Sequence, residues 1–324
     1  MVTFGQPSNY IGWCESFRSL KIKVVGKTKG GKIFLIIFII AALFYFGLSF
    51  YVANAMTSPM ARHIEISPEV ISKNYEDVNF QASDGVNLKG WLFHSSGKKL
   101  IIMVGGLLPN RANVEYLTPM IAKELIEANY NILLYDTRAH GLSEGDRVGY
   151  GSVEGNDVVG AVRFTKAKGF EPKNIGIIAD STGAISTLMV IDQLKDVGAI
   201  VLDTPAADFQ KIVSNRLWVE KKIPPFFHPT IFFFNRVFFN IDIGKAKPIE
   251  RIGLDTERKF LFLHAAKDET TPLNNSQELL AAANKESRLV VFDNGSHIET
   301  YKSDPDLYRK EVYSFLETEL TKDR

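Results

Sequence analysis

The chain has little net charge, a single cysteine and no short repeat. Its 324 residues include 38 Lys or Arg and 37 Asp or Glu, for a formal net charge of +1. Because the net charge is close to zero, the composition does not indicate a nucleic-acid partner. The one cysteine, Cys14, excludes an internal disulfide framework and a cysteine-rich zinc module. The sequence also lacks an H-E-x-x-H pair and a G-x-x-x-x-G-K-[ST] loop. We therefore expect neither a metal nor a cofactor.

The small net charge conceals a segregation along the chain. Residues 1–55 carry six basic residues and one acidic residue, or +5, whereas the remainder carries 32 basic and 36 acidic residues, or −4. Within that leading part, residues 33–53 form a charge-free apolar run of 21 residues. A helix needs about 20 apolar residues to cross a bilayer. We expect a transmembrane helix here rather than a buried core helix. Because the lysines precede it, the positive-inside rule places residues 1–32 in the cytoplasm and the body of the protein outside it.

A cleaved signal peptide is the alternative to a permanent anchor. Ala53-Asn54-Ala55 has the small-x-small pattern of a cleavage site. However, the apolar run exceeds the roughly 7–15 residues of a signal-peptide core, and the lead before it is long. The pattern favours an uncleaved anchor, and cleavage after Ala55 stays open.

The rest of the chain is predicted to form one large domain. We divide the protein into a basic tail (1–32), a transmembrane helix (33–53), a linker (54–75) and a domain (76–324). Short, almost continuously apolar runs alternate there with helical patterns, which predicts a mostly parallel sheet with helices on both faces. The predicted strands are 77–82, 86–94, 100–104, 131–135, 175–179, 199–202, 260–264 and 289–292, and the predicted helices are 114–128, 153–168, 182–194, 273–283 and 305–320.

A long excursion at about 205–257 interrupts this alternation. Seven of the 23 phenylalanines fall between residues 223 and 241. A long connection of this kind is usually a functional insert, and we expect a helical, phenylalanine-rich cap that covers an acyl pocket. A helical layer that only packs on the sheet is the alternative, and the two roles are compatible.

One strand-to-helix junction carries a candidate nucleophile. The segment Ala179-Asp-Ser181-Thr-Gly183 joins a predicted strand to a predicted helix and has the spacing of the G-x-S-x-G nucleophile elbow. Such a turn exposes the Ser181 hydroxyl at the carboxyl edge of the sheet and directs the Thr182 N–H at an oxyanion. Alone, the pattern also fits a serine that caps a helix.

An acid and a base follow at the matching positions of later strands. Asp268 comes after the strand 260–264, and His297 comes after the strand 289–292. Because parallel strands end at one edge of a sheet, both side chains are expected there with Ser181. A serine needs a base to take its proton, and the base needs an acid to orient it. The order Ser, Asp, His is that of the α/β-hydrolase triad.

From about residue 77 onward the chain resembles the α/β-hydrolase superfamily, most closely its serine aminopeptidase-like and esterase-like branch. The motifs that carry the resemblance are ADSTG at 179–183, DTRAHGLSEG at 136–145, DETTP at 268–272 and GSH at 295–297. The resemblance implies an α/β-hydrolase fold, with Ser181 as nucleophile, His297 as general base and Asp268 as its orienting acid.

The sequence departs from the family's pattern at the oxyanion loop. The family usually has His-Gly after its third strand, where this chain has Gly105-Gly106-Leu107. Glycine keeps the backbone free to approach the substrate. We predict that Leu107 and Thr182 donate the oxyanion N–H groups, with Gly106 as the alternative to Leu107.

These observations predict a membrane-anchored serine hydrolase that acts on a small-molecule carboxylic ester or other acyl substrate through an acyl-enzyme, with a lipophilic ester as one candidate. A peptidase or an acyltransferase on the same triad is the alternative. The alternative of another class is a membrane-anchored binding protein that keeps the fold without turnover. The natural substrate and the oligomeric state stay open.

Overall fold

The computed structural model describes residues 28–59, 63–108 and 110–320. The described chain falls into two compact units, one that ends at Leu48 and one that begins at Ser49. Most of the predicted basic tail, with Cys14, lies outside the described residues.

The first unit consists of the leading part of helix α1, which runs over Lys29–Thr57. This helix begins four residues before the predicted span of 33–53 and ends four residues after it, so residues 54–57 of the predicted linker are helical. Its apolar side chains from Ile33 to Phe46 are largely exposed. In length and composition the helix is able to cross a membrane. The same length and composition fit a signal sequence.

The second unit is built on one eight-stranded sheet with the order β1-β2-β4-β3-β5-β6-β7-β8. The β1–β2 and β2–β4 pairs are antiparallel, and every other pair is parallel. The strands are β1 (Tyr75–Gln81), β2 (Asn87–Phe93), β3 (Leu100–Val104), β4 (Asn131–Tyr135), β5 (Ile175–Asp180), β6 (Ala199–Asp203), β7 (Phe260–Ala265) and β8 (Arg288–Phe292). The predicted fold class, a mostly parallel sheet flanked by helices, is confirmed.

Helices cover both faces of the sheet, and each face has its own apolar core. The strands β3, β4 and β6 are buried along their whole length, which is why their sequences are continuously apolar. The helices after α1 are α2 (Thr118–Glu127), α3 (Gly155–Ala167), α4 (Ser181–Met189), α5 (Phe209–Val219), α6 (His228–Phe238), α7 (Asn274–Ala282), α8 (Thr300–Ser303) and α9 (Pro305–Glu319).

Two predicted helices differ in their ends. Helix α2 begins at Thr118 rather than Val114, because Leu117 adopts a left-handed backbone (φ 58°) and Pro119 lies in the first turn, where proline is tolerated. Helix α4 ends at Met189, and a separate 3-10 turn over Ile191–Gln193 follows it.

The excursion between β6 and β7 forms the cap. It contains α5 and α6, joined by a 3-10 turn over Pro225–Phe227, and three further 3-10 turns lead back to the sheet. The cap leaves the sheet at the carboxyl end of β6, beside the end of β5.

Candidate active site

Ser181 lies in a sharp turn between β5 and α4, with a left-handed backbone (φ 45°) that is uncommon for a residue with a side chain. The turn brings α4 close to the end of β3. A Cβ on Gly183 would lie 2.2 Å from the carbonyl oxygen of Val104, so only glycine fits there. Ala179 pairs with Val104 on one side and Leu202 on the other and is fully buried. Steric crowding therefore requires small residues on both sides of the serine.

The structure brings Ser181, His297 and Asp268 together in one hydrogen-bonded chain. The distance from Ser181 Oγ to His297 Nε2 is 2.8 Å, and the distance from His297 Nδ1 to Asp268 Oδ2 is 2.7 Å. The carboxylate accepts a hydrogen bond from the Nδ1–H group, which leaves the Nε2 lone pair directed at the serine hydroxyl. The Asp268 side chain is fully buried, whereas the His297 side chain is 16% exposed. The imidazole can therefore be reached by solvent, and its orienting acid cannot.

The loop after β7 holds the acid in place from its other side. Asp268 Oδ1 accepts the backbone N–H groups of Thr270 and Thr271, each at 2.8 Å. His264, in β7, contacts the Thr271 carbonyl oxygen of this loop through Nε2 and the Ser276 hydroxyl of α7 through Nδ1. Burial lowers the pKa of His264, which keeps the ring neutral beside Asp268. A neutral His264 forms no ion pair with the Asp268 carboxylate, which therefore stays available to His297.

The predicted oxyanion donors differ in their hydrogen bonds. Gly106 N–H donates to Asp180 Oδ1 at 2.6 Å, so the alternative donor is already engaged. Among the described residues, the N–H groups of Leu107 and Thr182 donate to no protein acceptor. A Cβ on Gly106 would lie 2.9 Å from Ser181 Cβ, so this loop runs against Ser181. The absence of a side chain at Gly106 permits that approach.

Sequence reasoning missed Asp180 and Asp203, which lie side by side at the ends of β5 and β6. Burial raises the pKa of Asp180 to about 6. The hydrogen bond from Gly106 N–H and the charge of His297 act in the other direction and lower this pKa. Burial also raises the pKa of Asp203 well above its usual value. Asp203 Oδ2 accepts a short hydrogen bond from the Thr300 hydroxyl, three residues after His297. The available signal was an acidic residue at the end of each of two otherwise apolar strands.

A cavity of about 50 Å³ lies under the oxyanion loop, lined in part by Asp180 and Asp203. His140 and Arg111 also line it. In the described part of the chain, His140 Nε2, Arg111 Nε and Asp203 Oδ1 are buried without a hydrogen-bond partner. These polar side chains therefore line a cavity whose wall is otherwise largely apolar.

The loop after β4 is fixed by a buried ion-pair network. Arg138 donates to Asp157 Oδ1 at 2.7 Å and to Asp84 Oδ1 at 2.8 Å, with the Asp157 side chain fully buried. Gly141 (φ 48°) packs so closely that a Cβ would lie 2.1 Å from Asp136 Oδ2. The Arg138–Gly145 motif thus stabilises the loop behind the site rather than supplying a reactive group.

The chain has relatives among known proteins. The chain is 27% identical over 238 residues to the uncharacterized protein YqkD of Bacillus subtilis, which covers 72% of this chain and 76% of that protein. Over a shorter stretch of 72 residues it is 42% identical to the polyketide transferase grgF of a Penicillium species, or 22% of this chain and 23% of that one. No family model matches the chain.

Solved structures give the class of fold. An esterase of Pyrococcus furiosus superposes with a TM-score of 0.68 at 22% identity, covering 82% of this chain and 98% of the esterase. The α/β hydrolase GrgF of Penicillium superposes with a TM-score of 0.62 at 19% identity, covering 76% and 99%. The second unit therefore has the α/β-hydrolase fold.

Proposed function

We propose that this protein is a serine hydrolase that cleaves a carboxylic ester through an acyl-enzyme. The observation that carries the proposal is the hydrogen-bonded chain from Asp268 through His297 to Ser181, with distances of 2.7 and 2.8 Å. Each member comes from a different loop, after β7, β8 and β5, so local sequence does not bring them together. This constellation matches an activated serine in both geometry and chain order.

In the first half of the reaction, Ser181 Oγ attacks the ester carbonyl while His297 Nε2 takes its proton. Asp268 stabilises the resulting imidazolium without becoming protonated. The N–H groups of Leu107 and Thr182 stabilise the oxyanion. One such donor is worth about 10²–10³ in kcat. His297 then protonates the leaving alcohol. In the second half of the reaction, water attacks the acyl-enzyme while His297 takes its proton, and His297 returns a proton to Ser181 Oγ as the acid leaves.

Labelling with a fluorophosphonate probe tests this proposal. We expect the wild-type protein to become labelled and the Ser181→Ala variant to stay unlabelled at the same thermal stability. A wild-type protein that is folded but unlabelled would contradict it. This outcome would favour a binding protein without turnover. A series of p-nitrophenyl esters of increasing acyl length then tests the lipophilic ester, which a preference for acetate over longer chains would exclude.

Acyl transfer on the same triad is the second candidate. It is favoured by the 42% identity over 72 residues to a polyketide transferase. The acyl-enzyme is common to both reactions, and the acceptor distinguishes them. If an added alcohol captures most of the acyl group in the presence of excess water, the protein is a transferase. If free acid is the main product, it is a hydrolase.

We also propose that α1 is an uncleaved anchor with the catalytic domain outside the cytoplasm. Val52 and Ala53 are buried in the second unit. Arg147 Nη1 donates to Asn54 Oδ1 at 2.9 Å, and Tyr150 Oη donates to the Met56 carbonyl at 2.6 Å. Cleavage after Ala55 would cut through a segment that packs and hydrogen-bonds within the domain, which supports retention of the helix.

The single cysteine offers a direct test of topology. A membrane-impermeant maleimide should not label Cys14 in intact cells, and it should label Cys14 once the cells are lysed. In a Cys14→Ser background, a cysteine introduced at the exposed Lys310 should be labelled in intact cells. The reversed pattern would overturn the orientation.

A further inference from the structure

The surface of the cap carries an apolar patch that the proposed reaction does not use. We call the cap face the set of Phe226, Phe233, Val237 and Phe238, each more than half exposed. In α6, Ile231 and Asn235 are buried on the side away from Phe233 and Val237, whereas Phe238 lies at the exposed end of the helix. Exposed apolar residues are usually scattered, so three phenylalanines and a valine on α6 and the 3-10 turn before it mark an interaction surface.

The cap face is continuous with the end of the apolar helix. Phe50 of α1 lies within the second unit, and its ring packs 5.7 Å from that of Phe234 and 5.6 Å from that of Phe238. Phe50 is also three residues from the end of the charge-free run. If that run crosses the bilayer, Phe50 lies at its outer boundary. Phe238 then lies at the same level, within ring contact of it.

The charge around the cap face is opposite to that of the domain. From Asp208 to Asp242 there are five basic and three acidic residues, or +2, whereas the chain beyond residue 55 has a net charge of −4. Lys221 and Lys222 are exposed in the connection between α5 and α6, just before Phe226. Aromatic side chains bordered by lysines are typical of segments that lie in the interface of an anionic membrane.

We propose that the cap face docks on the surface of an anionic bilayer, with the phenylalanines in the interface and Lys221 and Lys222 at the lipid headgroups. This inference rests on the anchoring proposed above. Because the cap leaves the sheet beside the end of β5, docking holds the part of the domain that carries Ser181 next to the membrane. An ester dissolved in the lipid is then the substrate class within reach.

Spin labels on the full-length protein test the docking. In a Cys14→Ser background, single cysteines replace Phe233 or Val237 in the cap face, Phe38 in the apolar run, and Lys310 as an exposed control on α9. The labelled proteins are reconstituted in vesicles of phosphatidylcholine and phosphatidylglycerol. Collision of each label with oxygen, which concentrates in lipid, is compared with collision with a water-soluble nickel chelate. A melting temperature equal to that of the Cys14→Ser parent establishes that each variant is folded.

We expect the labels at 233 and 237 to show an oxygen-to-nickel collision ratio several-fold above that at 310. Adding Lys221→Glu and Lys222→Glu should bring the ratio at 233 back towards the value at 310. A lipid-like ratio at 38 with a water-like ratio at 233 would overturn the docking alone. A water-like ratio at both positions would overturn the anchoring as well. Protection of the label at 233 from both reagents would indicate a second protein copy on the cap face and contradict a lipid surface. An unchanged ratio in the double glutamate variant would exclude the role of the anionic lipid.

Discussion

The carboxylate of Asp180, the residue directly before the candidate nucleophile, accepts the backbone N–H of Gly106 at 2.6 Å. This bond joins the end of β5 to the loop after β3. It also orients the next peptide, whose Leu107 N–H has no protein acceptor among the described residues. We interpret Asp180 as a positioning residue that holds the oxyanion loop against Ser181.

Replacing Asp180 tests this interpretation through the pH profile. The buried carboxyl has a pKa of about 6, so it is ionised above that pH and becomes a weaker, neutral acceptor below it. Protonation of Asp180 should therefore lower kcat on the acid side of the wild-type profile. In Asp180→Asn this step should be absent, with a lower kcat and little change in KM. Identical profiles for the two proteins would show that Asp180 does not act on the reaction.

Two neighbouring glycines provide a matched pair of substitutions. A Cβ on Gly106 would lie 2.9 Å from Ser181 Cβ, whereas the nearest atom to a Cβ on Gly105 is Leu108 Cδ1 at 3.4 Å. Gly106→Ala should therefore displace the oxyanion loop and reduce fluorophosphonate labelling by at least tenfold. Gly105→Ala should label almost as well as the wild type. Equal labelling rates in the two variants would mean that the loop is not in close contact with the serine.

Asp268→Asn should affect catalysis without affecting the fold. The amide keeps the shape of the carboxyl but removes the charge that favours the Nδ1–H tautomer of His297. A change of this kind costs a serine triad on the order of 10⁴ in kcat. The measurement is single-turnover acylation by a p-nitrophenyl ester, with a melting curve to show that the variant is folded. Retention of more than a tenth of the rate would contradict the assignment of the acid.

Arg138 should contribute to stability rather than to chemistry. Its replacement by Met leaves the fully buried Asp157 carboxylate without its cation, and breaking a buried pair in this way costs about 3–5 kcal/mol. Arg216→Met is the control, because its pair with Glu220 is exposed and such pairs contribute at most about 1 kcal/mol. Thermal unfolding of both variants in detergent compares the losses. Similar melting temperatures would show that the network is not needed for stability.

Retention of the N-terminal helix predicts the mass of the mature protein. The chain purified from membranes should still contain residues 1–55 of the sequence. Intact-protein mass spectrometry makes the measurement. A product that begins at Met56 would show cleavage after Ala55 and overturn the anchor.

The order of the site residues could be predicted from the sequence because it depends on one-dimensional information. Ser181, Asp268 and His297 each follow a short apolar strand, and parallel strands place their ends at one edge. The strands β3 to β7 were predictable for the same reason, since burial on both faces makes them almost continuously apolar. The structure then places the three side chains within hydrogen-bonding distance of each other.

The contacts between loops could not be predicted in this way. The bond between Gly106 and Asp180 joins residues 74 positions apart, and neither position has a pattern that names the other. The same holds for the short bond from Thr300 to Asp203. The start of α2 depended on the backbone of Leu117, which tertiary packing determines. Sequence periodicity reports burial, and it does not report which polar groups meet at the ends of strands.

The left-handed backbone of Ser181 has a consequence for the balance between stability and activity. A residue with a side chain held in this region costs about 1–3 kcal/mol, and glycine adopts it freely. Ser181→Gly should therefore melt at a higher temperature than Ser181→Ala, although both lack the nucleophile. The position that we propose as the nucleophile is thus one at which a more stable protein would have no side chain, and selection for stability alone would remove the serine.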